Sequence, residues 1–169
     1  RKHYSIPFDN NKVREGRTFS DFVRFISNNP CIPITEIDTV ESCKGECRCL
    51  LTIHFTFIKF MIAFLIDSKS QANVSRVFSH LQKTFGDVMY KKMFPVILTD
   101  RGTEFGDPTK IEFNQTTGNQ LTSVFYCNSY ASYQKGAIEE NHRLIRYVLP
   151  KGCSFDNLTQ DKVNLILSH

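Results

Sequence analysis

Apolar residues recur along this chain first with a helical and then with an extended period, and the change of period divides it. Residues 1–33 are polar and mixed in charge. Within them, TFSDFVRFISNNP puts Phe22, Phe25 and Ile26 on one helical face, with Thr18 or Ser20 as cap and Asn-Asn-Pro as stop. This stretch reads as a lead-in or linker with a short helix, following a domain further upstream. A core domain is expected over 34–169.

From Ile34 the pattern becomes extended. TEIDTVES predicts a short strand. RCLLTIHFTF alternates, with Leu51, Ile53, Phe55 and Phe57 on one side. KFMIAFLI is more uniformly apolar, which predicts a central strand, and TFIKF between the two must turn tightly without Gly or Asn. SQANVSRVFSHLQKTFG follows at helical spacing through Val74, Val77, Phe78, Leu81 and Phe85, with Ser70 as cap and Gly86 as end. FPVILTD is a buried strand after a helix, hence parallel to an earlier one. Turn formers fill 102–122, SVFYCN is a further strand, and QKGAIEENHRLIRYVLPKG is the last strong element, a helix opened by Gly136 and ended by Pro150. The order β-β-β-α-β-loop-β-α predicts an α/β domain: a mixed five-stranded sheet, three antiparallel strands and then parallel crossovers, with flanking helices.

Composition narrows the class without naming it. The chain has 169 residues, 41% apolar with fifteen Phe, enough for one folded domain with a real core. It starts with Arg, so a piece of a longer protein is expected. A net charge of +4 is compatible with an anionic partner and equally with ordinary solubility. Six cysteines include three in CKGECRC, but no second pair completes a zinc pattern, so reduced thiols of a cytosolic protein are expected. No signal peptide is visible, and the most apolar run, FIKFMIAFLI, is too short to span a bilayer and is broken by Lys59.

Three acids stand out against this pattern. Asp38 sits mid-strand, where an acid needs partners. Asp100 follows directly on a strand, in LTDRGTEF; it can start a turn with Gly102 or serve as a ligand. Glu139 lies in the first turns of the last helix, where the dipole alone would favour it. Should the first and fourth strands be neighbours, Asp38 and Asp100 meet at one edge, and the helix can lay Glu139 over them. Converging carboxylates need a cation, and hard oxygen donors suit Mg2+ or Mn2+. On the same helix Glu139, Arg143 and Arg146 share a face, with Lys135 just before it and Lys151 just after. That row could grip phosphates, or Glu139–Arg143 could be an intrahelical salt bridge on a solvated face. His142, on the same helix, could touch an anionic partner or the outer shell of a metal, or lie at the surface.

EIDTV, LTDRGTEF, QKGAIEENHRLIRYVLPKG and FDNLTQDKVNLILSH, in this order, resemble the catalytic cores of bacterial insertion-sequence transposases, and more distantly retroviral integrases. The resemblance covers about Thr35 to His169. It implies a ribonuclease-H-like fold and a DDE set of Asp38, Asp100 and Glu139 holding Mg2+ or Mn2+, two ions. Glu140 competes for the last place, but the distance from Gly136 and the register of Arg146 favour Glu139. It further implies DNA strand cleavage and transfer at transposon ends, with DNA as partner and a homo-oligomer as the active form. The location implied is the bacterial cytoplasm, at the nucleoid when active. Lys135, Arg143, Arg146, Arg101, Lys151 and Tyr130 are the expected DNA contacts. Two departures stand out: Arg101 replaces the family's usual Asn, and Glu139 lies 39 residues after Asp100, a little beyond the usual spacing, with NQTTGNQ as the place for the extra loop. A ribonuclease-H-type nuclease and an inactive DNA-binding relic are the alternatives.

Overall fold

The computed structural model describes residues 13–168. Helix α1 (Phe19–Asn28) starts at a capping box in which Thr18 and Asp21 satisfy each other's backbone N–H groups. Strands β1 (Ile34–Glu41), β2 (Cys49–Phe55) and β3 (Phe60–Ile66) form an antiparallel meander. Helix α2 (Gln71–Met93) crosses to β4 (Val96–Thr99), and a short helix α3 (Thr109–Glu112) precedes β5 (Ser123–Tyr126). Helices α4 (Gly136–Val148) and α5 (Gln160–Leu167) complete the domain. The sheet order is β3-β2-β1-β4-β5, with β1, β4 and β5 parallel. The mixed five-stranded sheet expected from the pattern is therefore the one formed.

Helices cover both faces, which makes three layers. Ile37, Leu51, Ile53, Ile97 and Tyr126 pack against Val74, Phe78 and Leu81 of α2. On the other face Val40, Leu50, Met61 and Ala63 meet Ile138 and Ile145 of α4 and Val163 of α5. Further along that face, Val96, Leu98 and Phe125 receive Phe22 of α1. Burying one such side chain stabilises the fold by about 1.5–3 kcal/mol. Asp38 projects on the α4 face because it alternates with Ile37, which is how a strand acid comes to lie under a helix acid.

Several local expectations change. The apolar β3 is an edge strand, not a central one: its uniform apolarity comes from α2 on one face and α5 on the other. Its open edge is partly closed by Gln160, whose side chain accepts from Leu65 N–H and donates to Ala63 O, both at 2.8 Å, in place of a sixth strand. Phe57 leaves the strand for the β2–β3 turn and is 78% exposed, while Lys59 supplies the positive φ that Gly or Asn would usually take. Gly86 does not end α2. Its φ of 70° kinks the helix, which resumes and runs on to Met93. Helix α5 lies beyond what reads as the last strong element; Thr159 caps it by accepting from Lys162 N–H. All six cysteines are free. No helix among the described residues is long and apolar enough to cross a membrane.

Candidate functional site

The parallel pairing of β1 with β4 sets Glu36 opposite Leu98, and continuing that register two residues brings Asp38 level with Asp100. Each aspartate spends one oxygen on nearby backbone. Asp38 Oδ1 accepts from Thr39 N–H at 2.7 Å, and Asp100 Oδ1 accepts from Gly102 N–H at 2.8 Å. Asp100 thus forms its turn with Gly102 and still presents a second oxygen; the two roles coexist. The remaining Oδ2 atoms converge on one cation, the Lys135 ammonium, at 2.8 Å from Asp38 and 3.8 Å from Asp100. Asp38, Asp100, Asn128, Tyr130, Lys135 and Glu139 line one open cleft of about 210 Å³. Glu139, in the first turn of α4, is exposed at its lip.

The donor chemistry fits a hard divalent ion, since two carboxylate oxygens face one point and a third carboxylate borders the same cleft. The charge at that point is supplied by Lys135. Among the described residues no three His, Cys, Asp or Glu side chains stand close enough together to hold an ion.

Several polar groups around the cleft are buried or half-buried. Glu36 Oε2 accepts the N–H of Ile138 at 2.7 Å, pinning the start of α4 to β1, and burial raises its pKa above the usual carboxylate range. His142 Nε2 lies 2.7 Å from Thr52 Oγ1, beneath α4 rather than at the surface, and burial lowers its pKa despite the nearby Asp38. Burial pushes the Cys127 thiol, on the wall of the cleft, up to about 12. On the other side of Asp100, Glu104 folds back under β1. Its Oε1 accepts from Thr39 Oγ1 at 2.9 Å and lies 3.4 Å from Lys69 Nζ, and its side chain has no exposed surface. A Cβ on Gly102 would lie 2.4 Å from Glu104 Oε2, so the glycine is there to let the acid in. Glu36, Glu104 and Lys69 escaped the sequence reading. The G-x-E-F spacing was the available signal for Glu104.

The basic residues do not form one row. Arg143 is exposed and pairs with Glu140 at 2.6 Å, so an intrahelical bridge forms one residue away from the alternative Glu139–Arg143 pair. Arg146 turns to the sheet and donates to Glu41 O at 2.7 Å, capping the end of β1. Lys135 is not a surface cation, because its side chain is only 3% exposed. Arg101 extends along the surface with Nε on Cys127 O at 3.1 Å. Lys151 and Tyr130 are exposed, Tyr130 fully and with a φ of 58° beside the cleft.

This sheet order with its flanking helices is the ribonuclease-H-like fold of integrase catalytic cores. The catalytic core domain of BIV integrase matches it with a TM-score of 0.54 and 14% identity, over 79% of this chain and 80% of that one. A chain of the simian T-cell lymphotropic virus intasome, solved in complex with PP2A regulatory subunit B56 gamma, matches with a TM-score of 0.58 and 13% identity, over 80% of this chain and 47% of that one. At such identities the likeness is one of fold. In sequence, a probable transposase for insertion-like sequence element IS1161 of Streptococcus salivarius is 35% identical over 72 residues, 41% of this chain. The chain spans about a fifth of the length of that relative, 19%. No protein-family model matches the chain. The fold is thus that of integrase catalytic cores, and the sequence match is to part of one transposase.

Proposed function

We propose that this chain is the catalytic core of a DDE-type DNA transposase that cuts and joins DNA strands at the ends of an insertion sequence. The observation that carries the proposal is the convergence of Asp38 and Asp100 Oδ2 in a cleft that Glu139 also borders. The match to the streptococcal transposase adds sequence support independent of the fold.

In this reading Asp38, Asp100 and Glu139 hold two Mg2+ or Mn2+ ions, which when bound would activate the attacking oxygen and stabilise the leaving one. The backbone bonds from Thr39 and Gly102 fix the plane of each aspartate, so that the second oxygen of each faces the cleft without further ordering. Arg143, Arg101 and Lys151 grip phosphates flanking the scissile one, and Tyr130 packs on a terminal base. Glu36 and Arg146 act indirectly, by tying α4 to both ends of β1. DNA is the partner, and the cytoplasm of a bacterium the setting.

The test is Asp38→Asn. The variant is expected to keep its fold and lose strand cleavage and transfer by about 1,000-fold, or about 4 kcal/mol of barrier, within the several kcal/mol that a bound metal's charge supplies. Undiminished metal-dependent cleavage in that variant would reject the assignment. One observation favours a second reading, the inactive relic: the buried Lys135 ammonium already occupies the point on which both aspartates converge. Mn2+ titration separates the two, since a relic takes up no ion at this site.

A further inference from the structure

We propose that Lys135 is a positioning residue, a tethered counter-cation that holds Asp38 and Asp100 together until a divalent ion displaces it. This rests on the metal-dependent reading above and specifies how the site is kept ready. The side chain is 3% exposed, whereas those of Asp38 and Asp100 are 17% and 44% exposed. The cation is therefore sealed in while the acids still reach water. It also donates to Ile37 O at 3.4 Å, so the ammonium is solvated by the β1 backbone and not by solvent.

Two carboxylates on neighbouring strands repel, and without a cation between them they would splay or take up a proton. Lys135 supplies a single positive charge from a fixed backbone position, at the end of the 3-10 turn Ser132–Lys135 and immediately before Gly136. A dication interacts more strongly with the same pair of oxygens, and it cannot share their point of convergence with an ammonium. Lysine suits a place that must be vacated. It is a point charge on a flexible four-carbon stem, with no planar fork to lock it to the carboxylates as arginine would. Asp100 and Glu139, both accessible, offer the incoming ion its first contacts, and Lys135 withdraws by side-chain rotation alone.

A salt bridge with a purely structural role would be indifferent to metal, so metal affinity is the discriminating measurement. Mn2+ binding is measured by calorimetry, and metal-free thermal melting is recorded, for the wild-type chain, Lys135→Met and Lys135→Met combined with Asp38→Asn. Lys135→Met is expected to bind Mn2+ about tenfold or more tightly than the wild type, to melt lower without metal, and to gain more Tm from Mn2+ than the wild type does. With Asp38→Asn added, the loss of Tm should largely vanish because the repulsion is gone, and the gain in affinity should vanish because a ligand is gone. Equal Mn2+ affinity in wild type and Lys135→Met overturns the role of Lys135 and leaves the metal site standing. No Mn2+ binding by either overturns both. Should Lys135→Met fold only when Mn2+ is present, the ion is replacing the ammonium and the proposal is supported. Failure to fold in excess Mn2+ makes Lys135 a core strut and rejects it.

Discussion

Two lysines in this domain each sit between two acids beside β1, and they are built inside out relative to one another. In the cleft the cation is sealed, with the Lys135 side chain 3% exposed, while Asp38 and Asp100 are 17% and 44% exposed. Across β1, Lys69 is 38% exposed and Glu41 66%, while the shared acid Glu104 has no exposed side-chain surface. Burial would lower the Lys69 pKa, but Glu41 and Glu104 outweigh it and hold it above its usual value. The difference decides which partner can be exchanged. Acids that reach water can trade one cation for another. A buried carboxylate cannot be rehydrated, so its cation is a permanent part of the fold.

The largest effect on stability should follow from this contrast. Lys69→Met leaves Glu104 buried with Thr39 as its hydrogen-bond donor and one carboxylate oxygen that already has no partner among the described residues. We expect a loss of about 2–3 kcal/mol, below the usual range for a broken buried pair because Lys69 is partly solvated. Lys135→Met, although it removes the more deeply buried lysine, should cost only about 1 kcal/mol, because Asp38 and Asp100 can recruit water. Urea unfolding of both variants checks the order, and a larger loss for Lys135→Met than for Lys69→Met would break the comparison.

Gly102→Ala probes the same buried acid from its other side. The new Cβ would overlap the Glu104 carboxylate, 2.4 Å from Oε2 and 2.7 Å from Cδ. A side chain free to move would absorb this cheaply, but Glu104 is held by Thr39 and Lys69. The cost should be about 1–2 kcal/mol. The double variant Gly102→Ala with Glu104→Ala should recover most of it, because the atoms in the way are gone. Full additivity of the two costs, measured by urea unfolding, would mean that the glycine serves some other purpose.

How much of this was legible in the sequence follows from which signals are local. The strands, the caps Thr18 and Ser70 and the helix opened by Gly136 depend on neighbours in the chain, and they form where the pattern puts them. Asp38 stood out because an acid conflicts with the middle of a strand. Asp100 and Glu139 each suit their local context and stood out as acids that could converge with it, and all three line one cleft. What escaped was set by packing between distant segments. The side chain of Lys135 reads as a surface cation until β1 and β4 close around it. The apolarity of β3 reads as central because the sequence does not reveal that two helices cover an edge strand. Arg146 shares a helical face with Glu139 on a wheel, yet the end of β1 draws it to a backbone carbonyl. Gly86 carries a stop signal in its positive φ, but the helix resumes beyond it and its continuation packs Tyr90 and Met93 on the sheet side of α2.

Glu41 offers the smallest and most selective test of the contrast. Its carboxylate accepts from Lys69 Nζ at 2.8 Å, and that bond together with the charge of Lys69 holds its pKa below the usual carboxylate range. A lowered pKa in the folded state means that the ionised form stabilises the fold. The contribution is present above the unfolded-state value of about 4.3 and fades as pH falls through the lower, folded-state value. The group is two-thirds exposed, so solvent screening keeps the contribution to about 0.5 kcal/mol or less. Glu41→Gln should therefore unfold slightly more easily than wild type in urea at pH 7 and low salt. The gap should close toward pH 3 and also in about 1 M salt, where the Debye length falls to about 3 Å. Lys69→Met at pH 7 should keep most of its larger penalty in the same salt, because the carboxylate it strands is buried. If salt erased both penalties alike, Glu104 would be no better shielded than Glu41, and the distinction between a fixed and an exchangeable cation would lose its basis.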